Sequence, residues 1–544
     1  MHNNKIQKLE LTWIGKDDGR ANIEPRILIE DPKYSYGDTE SGNMLIHGDN
    51  LLALKALEQD YSGQVKCIYI DPPYNTQKAF EHYDDSVEHS IWLSLMYQRI
   101  ELLYNLLSPN GVLLINLDEI EHAYCKVICD EIFGRRNFIG DLIWHKRKGG
   151  GNDSRFFAID HDYILVYTKD SGKKTHPKKW LVSQSEEYLK RYKETAEDGR
   201  RYYWDTLARD GLQNPIHVEI QCPDGHLLKI NSQQSQKTIE EGLSSGEIRL
   251  TKSKNGWTLH HRVYMPAGQV LRSILNDVGT NKTAGDEIEY LFGDSKAFDY
   301  PKPETLIQKL FELTTKKGDL VLDSFLGSGT TAAVAQKMGR RYIGIELGNH
   351  AYTHCYPRLK KVTDGTDQGG ISKAQNWKGG SGFKFYELAP SLLKEDQFGN
   401  LVINKEYNAD MLAAAMAKQE VYTYQPDPTL YWKQGQSSEH DYIYTTTQFL
   451  TVESLDAISE TMQEDESLLI CCTAFQKECT THHPNITVKK IPQMLLGRCE
   501  FNKDNYNLNI IDMPKMDDEE SEDIDLPENT AIVNNKNNNP TLFD

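Results

Sequence analysis

The chain has 544 residues with 38% hydrophobic and 26% charged content and a formal net charge of −19. That length suits two to four domains with sizeable cores, and the composition is that of a globular protein rather than a fibrous or low-complexity one. No apolar run approaches the ~20 residues of a membrane span, and the opening MHNNKIQKLELTW lacks the apolar centre of a secretory signal, so a cytoplasmic protein away from membranes is expected. Nine thinly spread cysteines suit a reducing compartment without a disulfide framework.

Residues 1–40 are irregular and read as an N-terminal lead-in. From residue 41 to 145, short apolar strands alternate with amphipathic helices. MLIHGDN reads as strand and turn, LLALKALEQ as helix and VKCIYID as strand. IWLSLMYQRIELLYNLL (91–107) reads as a longer helix and PNGVLLINLD (109–118) as turn plus strand. That rhythm predicts an α/β fold with a parallel sheet covered on both faces.

The text changes character over 146–290, which is polar, opens on the glycine-rich RKGGGNDSR and carries a hairpin signal at the Pro-Asp-Gly of VEIQCPDGHLLKI. The α/β rhythm returns over 291–363. KPETLIQKLFELTT and TTAAVAQKMG read as helices, DLVLDSF and RYIGIEL as strands. Residues 364–382 read as a linker, 383–512 as a second folded unit, and 513–544 as a disordered acidic tail.

The negative charge speaks at first against a nucleic-acid partner, since phosphates attract Lys and Arg. Its distribution weakens that objection. Residues 517–528 hold eight carboxylates and no base, whereas 144–201 hold fourteen Lys and Arg against nine Asp and Glu, a local balance of +5.

Two turns carry chemistry. CIYIDPPYNT (67–76) leaves a strand through an acid, two prolines, an aromatic and an amide. The prolines fix φ near −65° and remove backbone donors, leaving the carbonyls around Pro72 as acceptors beside the Asp71 carboxylate and the Tyr74 ring. Such a rigid corner suits a flat ligand that donates hydrogen bonds. VLDSFLGSGTTAAVA (321–335) is a strand, a glycine-rich turn and a helix start. Thr330 and Thr331 stand where a P-loop needs its Lys-Ser/Thr pair. Ala332 is a permitted third residue of a dinucleotide fingerprint, and Glu346, nineteen residues past Gly327, is placed to accept ribose hydroxyls in dinucleotide and adenosyl-methionine sites alike.

Together, DPPYN and DSFLGSGTT resemble the amino-methyltransferases of DNA. Their order, with an insertion between, resembles the β-type arrangement. IHGDNLLALKAL, FDYPKPETLI and EIFGRRNFIGDLIWHKRKGGGN support the likeness over roughly residues 10–360. LTWIGKDDGRANIEPRILIED, YIYTTTQFLT and MLLGRCEF further resemble modification subunits of type III restriction-modification systems.

The resemblance implies a Rossmann-like methyltransferase sheet, with 146–290 as an inserted target-recognition region and a smaller C-terminal α/β domain for dimerisation or partner docking. It implies S-adenosyl-methionine as cofactor and methyl transfer to an exocyclic base amine of duplex DNA, with adenine favoured over cytosine because cytosine-directed relatives more often carry serine where Asp71 stands. A homodimer and a restriction helicase or nuclease subunit are the implied partners. Asp71, Pro72, Pro73 and Tyr74 are the implied catalytic residues. Asp49, Lys302, Asp323, Phe325, Gly327, Gly329 and Glu346 are implied for the cofactor, and Asn75, Lys146, Arg147 and Lys148 for the substrate. No metal is required. CCTAFQKECTTHH offers Cys471, Cys472, Cys479, His482 and His483, but without a C-x-x-C pair.

Overall fold

The computed structural model describes residues 10–14, 16, 22–73, 85–149, 157–172, 180–184, 186–208, 211–254, 256–504 and 506. Tyr74, Asn75 and the acidic tail lie outside them. No described helix is long and apolar enough to cross a membrane.

The main sheet has eleven strands: β1 (Leu28–Glu30), β2 (Tyr36–Gly37), β3 (Met44–His47), β4 (Val65–Ile70), β5 (Leu107–Leu117), β6 (Phe138–His145), β7 (His161–Thr168), β8 (Ile274–Leu275), β9 (Leu320–Asp323), β10 (Arg341–Glu346) and β11 (Gly382–Leu388). Their spatial order is β1-β11-β3-β10-β9-β4-β5-β7-β6-β8, with β2 paired to β11. The strands from β11 to β5 run parallel, and β7 is antiparallel to both β5 and β6.

Strand alternation sends successive side chains to opposite faces. In β4, Ile68 and Ile70 enter one core while Cys67 and Tyr69 enter the other. The first core packs against α1 (Asn50–Tyr61), α2 (Asp85–Leu106) and α3 (His122–Cys129). The second lies under α5 (Glu304–Thr314), α6 (Thr330–Lys337) and α7 (Tyr356–Thr363), and α4 (Asn281–Phe292) precedes them in the chain. The chain passes from β9 through α6 to β10 on one side, and from β4 through α2 to β5 on the other. The β9/β4 boundary is therefore where the strand order reverses, the crevice position for ligands in open α/β sheets.

The insert holds a four-stranded antiparallel sheet (Glu194–Thr195, Arg201–Thr206, Gly256–Tyr264, Ile248–Ser253) and the expected hairpin, Ile216–Gln221 with Leu227–Ser232. Its own core gathers Leu207, Val218, Ile220, Ile239, Ile248 and Leu259. It ends earlier than residue 290, because β8 pairs with β6 and Val278, Ala284 and Ile288 are buried.

Two other boundaries differ from expectation. Residues 26–30 of the N-terminal lead-in are integral, since β1 pairs with β11 and Arg26 reaches the Ala389 and Lys503 carbonyls. The stretch 364–382 is no free linker. Buried Lys337 binds Glu304 at 2.8 Å and Asp367 at 2.7 Å, Arg358 binds Glu304 at 2.9 Å, and the Ile371 amide donates to the same Glu304. This charge cluster clamps the segment to α5 and α6 and carries the chain on into β11. The C-terminal unit follows, with helix Ala409–Gln419 and a five-stranded sheet of Thr423–Tyr424, Gly435–Ser438, Asp441–Leu450, Ser467–Phe475 and Ile486–Lys490.

Candidate active site

Parallel register between β4 and β9 aligns Cys67 with Val321 and Ile68 with Leu322, so Asp71 and Asp323 leave neighbouring strands at the reversal point. Pro72 is buried, and helix α2 anchors the corner: Trp92 Nε1 donates to the Pro73 carbonyl at 2.9 Å. The anchor falls on Pro73 rather than on Pro72.

Each oxygen of Asp71 has a partner from a distant segment. Lys302 Nζ donates to Oδ2, and Asn116 Nδ2, from the end of β5, donates to Oδ1 at 3.3 Å. The Asp71 side chain keeps 21% exposure and that of Lys302 9%, so the pair lies at the floor of the crevice and faces outward through the carboxylate. Pro303 caps α5 and sets Lys302 just ahead of its first turn.

The second turn is built tightly. Leu326 N donates to the Ile345 carbonyl, while the Gly327 and Gly348 amides donate to the two oxygens of Glu346 at 2.7 and 3.1 Å. Burial pushes the Glu346 carboxyl above its ordinary range. Asp323 accepts the Phe325 amide at 2.9 Å, and burial raises its carboxyl to about 7 despite that bond and one from Thr331. Phe325 packs partly buried against the first core. Gly329 caps α6 with φ +83°, and a Cβ there would stand 3.3 Å from Cys355 Cα. The turn thus needs glycine for its backbone and for close packing.

The crevice fits a polar ligand. Tyr69 Oη and Ser324 Oγ, at the ends of β4 and β9, are buried without a hydrogen-bond partner among the described residues. Burying a hydroxyl unpaired costs free energy, and such orphans cluster where a ligand completes the bonding.

Of the residues singled out from sequence, Asp71, Pro72, Pro73, Lys302, Asp323, Phe325, Gly327, Gly329 and Glu346 converge here. Asp49 is close, but its carboxylate is engaged by the protein. Oδ1 caps α1 through the Leu51 and Leu52 amides at 2.8 and 3.2 Å, and Oδ2 accepts the Tyr506 amide at 2.8 Å with Arg99 at 3.8 Å. Lys146 turns inward to Asp162 at 2.7 Å, while Arg147 and Lys148 are exposed. Cys471, Cys472 and Cys479 are buried in the C-terminal unit, and His482 and His483 both meet Asp456 Oδ1 at 2.8 Å instead of joining them. Sequence reading missed Trp92, Asn116 and Asp162. For Asn116 a signal existed, an amide at the end of the otherwise apolar GVLLINL.

The description "DNA methylase" is that of the family model that matches residues 65–356, which run from the first residue of β4 to the first of α7. The chain belongs to the DNA methylase family. Within that family's curated members it is 34% identical to the probable type III restriction-modification enzyme HindVI Mod subunit of Haemophilus influenzae, over 68% of this chain and 57% of that one. It is 30% identical to the StyLTI Mod subunit of Salmonella typhimurium (59% and 55% of the two chains) and 26% identical to the EcoP15I Mod subunit of Escherichia coli (75% of each). The match thus spans little more than half the length of the first two relatives.

Proposed function

We propose that this DNA methylase transfers a methyl group from S-adenosyl-methionine to the N6 amine of adenine in duplex DNA, as the modification subunit of a restriction-modification system. The observation that carries the reading is the meeting of Asp71 and the Asp323–Gly329 turn at the reversal point of one sheet. Relatives named as Mod subunits support the biological setting.

Glu346, Asp323, Phe325 and the glycine turn would hold the cofactor, with Lys302 towards its methionine end. Bound there, S-adenosyl-methionine supplies a methyl group activated by its sulfonium. A base amine is a poor nucleophile because its lone pair is delocalised into the ring. Hydrogen bonds from its two N–H groups to the Asp71 carboxylate and the Pro72 carbonyl favour a tetrahedral nitrogen with a localised lone pair. A carboxylate oxygen has more than one lone pair, so Asp71 can accept the amine while Lys302 and Asn116 still hold it. Because prolines and partners fix these acceptors beforehand, little reorganisation accompanies reaction. Methyl transfer from the sulfonium would leave the nitrogen with a proton to shed, which Asp71 or water would accept.

Tyr74 is assigned to stack on the flipped base, a contact worth ~1–3 kcal/mol, comparable with the cost of extruding it. Asn75 is likewise assigned to the substrate. For the duplex, exposed Arg147 and Lys148 mark the start of a basic insert. Its sheet pairs Arg249 with Trp204, Arg200 with Tyr264 and Arg262 with Tyr202, with guanidinium-to-ring distances of 4.1, 3.8 and 4.7 Å. A face of arginines and aromatics suits phosphate contacts that position a duplex. The C-terminal unit is assigned to self-association or to docking a restriction subunit.

Transfer of tritiated methyl groups to unmethylated genomic DNA, followed by nucleoside analysis, tests this. Label in N6-methyladenine is expected. Label in N4-methylcytosine would move the target to the second base amine that the same corner accommodates, and no label would sink the reading.

A further inference from the structure

The end of β6 and the segment that leads into α4 meet at the border of the recognition region. Lys146 follows β6 directly, its amide donates to the Asp160 carbonyl at 2.8 Å, and its own carbonyl accepts the amide of Asn281, the first residue of α4, at 2.9 Å. Two residues earlier on each segment, Trp144 Nε1 donates to the Gly279 carbonyl at 2.9 Å. The end of β6 and the start of α4 therefore close on each other at residues 144–146 and 279–281.

From that closure a continuous line of side chains runs to the catalytic corner. Lys146 Nζ donates to Asp162 Oδ1 at 2.7 Å. Asn116 Nδ2 donates to Asp162 Oδ2 at 3.4 Å and to Asp71 Oδ1 at 3.3 Å. An amide nitrogen has two protons, one for each carboxylate. Asn116 is fully buried and Asp162 2% exposed, so these bonds act in a low dielectric and are not screened as surface contacts are. Asp71 and Asp162 have the same pattern, a lysine on one oxygen and the shared amide on the other. Lys146, Asp162, Asn116 and Asp71 thus form one hydrogen-bonded line.

We propose that Asp162 is a positioning residue: held by Lys146 at the end of β6, it orients the Asn116 amide and through it the Asp71 carboxylate, and so sets the geometry of the catalytic acceptor. This rests on the methyltransferase reading above. It assigns Lys146 to coupling rather than to a phosphate, in contrast to its exposed neighbours Arg147 and Lys148.

The test uses the full chain, tritiated S-adenosyl-methionine and unmethylated genomic DNA, with Asp162→Asn and Lys146→Met made singly and together. Each single variant should lower kcat by at least about tenfold while the Kd for cofactor and the affinity for DNA stay within about threefold. The double variant should be no worse than the poorer single one, because both break the same line. Asp162→Glu, which restores the charge, should recover part of the rate. The proposal is overturned if the single variants keep kcat within twofold, if their effects multiply, or if kcat, cofactor Kd and the thermal midpoint all decline together as in a structural defect. Should Asp162→Asn not fold, Lys146→Met alone decides, since its side chain keeps 16% exposure and its loss leaves the backbone closure intact. A wild-type protein that labels no DNA would defeat the underlying reading instead, and that result is visible before any variant is compared.

Discussion

Lys302 and Asp71 form a half-buried ion pair across 231 positions of chain, joining the segment before α5 to the corner after β4. Read from sequence, one belongs to the cofactor and the other to the base. In the structure they are one electrostatic unit. Removing Lys302 leaves a carboxylate without its cation, at a cost below the ~3–5 kcal/mol of a fully buried pair because Asp71 retains 21% exposure. In a double-mutant cycle of Lys302→Met and Asp71→Asn, thermal unfolding should show a coupling of at least about 1 kcal/mol. Additive shifts would mean that the pair does not hold in solution.

Asp71→Ala should reduce methyl transfer by at least about a hundredfold, the scale for deleting one preorganised acceptor or donor at a reacting centre. Cofactor binding should change little, since Asp323, Glu346 and the glycine turn remain. Single-turnover transfer and equilibrium binding, measured on the same preparation, separate the two. Retained activity would refute the acceptor role.

Gly329→Val should do the reverse. At φ +83°, with Cys355 Cα 3.3 Å from the new Cβ, a branched side chain strains the turn by roughly 1–3 kcal/mol and displaces the start of α6. The expected outcome is at least about tenfold weaker cofactor binding by calorimetry, with a lower thermal midpoint.

Asp323 predicts a pH dependence. Burial holds its carboxyl at about 7 against an ordinary 3.8, so between these values the folded protein keeps a proton that the unfolded chain has lost. This group's contribution to stability therefore falls as pH rises through that window. Binding of a cationic cofactor favours the ionised form, so affinity should improve by up to about tenfold from pH 6 to pH 8. Asp323→Asn should flatten the profile. A flat wild-type profile in calorimetric titrations would remove Asp323 from the cofactor site.

Arg147 and Lys148 are exposed at the start of the insert. Changing both to Ala should weaken DNA binding about equally across sequences and reduce the slope of log K against log salt by about 2, with the rate at saturating DNA unchanged. Filter binding over a salt series measures this. An unaltered slope would place the duplex elsewhere.

Asp49, implied for the cofactor by the resemblance, has its carboxylate engaged by the protein. Its carboxylate caps α1 and ties down Tyr506 beside Arg99, so Asp49→Ala should cost about 1–2 kcal/mol from the cap alone. Thermal unfolding of the variant checks this, and an unchanged midpoint would return Asp49 to the cofactor.

Strands β3, β4, β5, β9 and β10, helices α1, α2, α5 and α6, and the residues of both chemical turns were legible in the sequence because they are local. Period-two and period-3.6 patterns mark elements, the prolines of DPPYN stiffen their own corner, and glycines mark positive φ within a few residues. The strand order, the burial of residues 364–382 and the employment of individual polar groups were decided only by the tertiary structure. Residues 364–382 look like a linker by composition, yet Asp367 meets Lys337 and Ile371 meets Glu304. Asn116, Asp162 and Lys302 take their roles from strands and helices far apart in the chain. Nothing in their neighbours encodes those partners, because a buried polar group is satisfied by whatever the fold brings within hydrogen-bond distance.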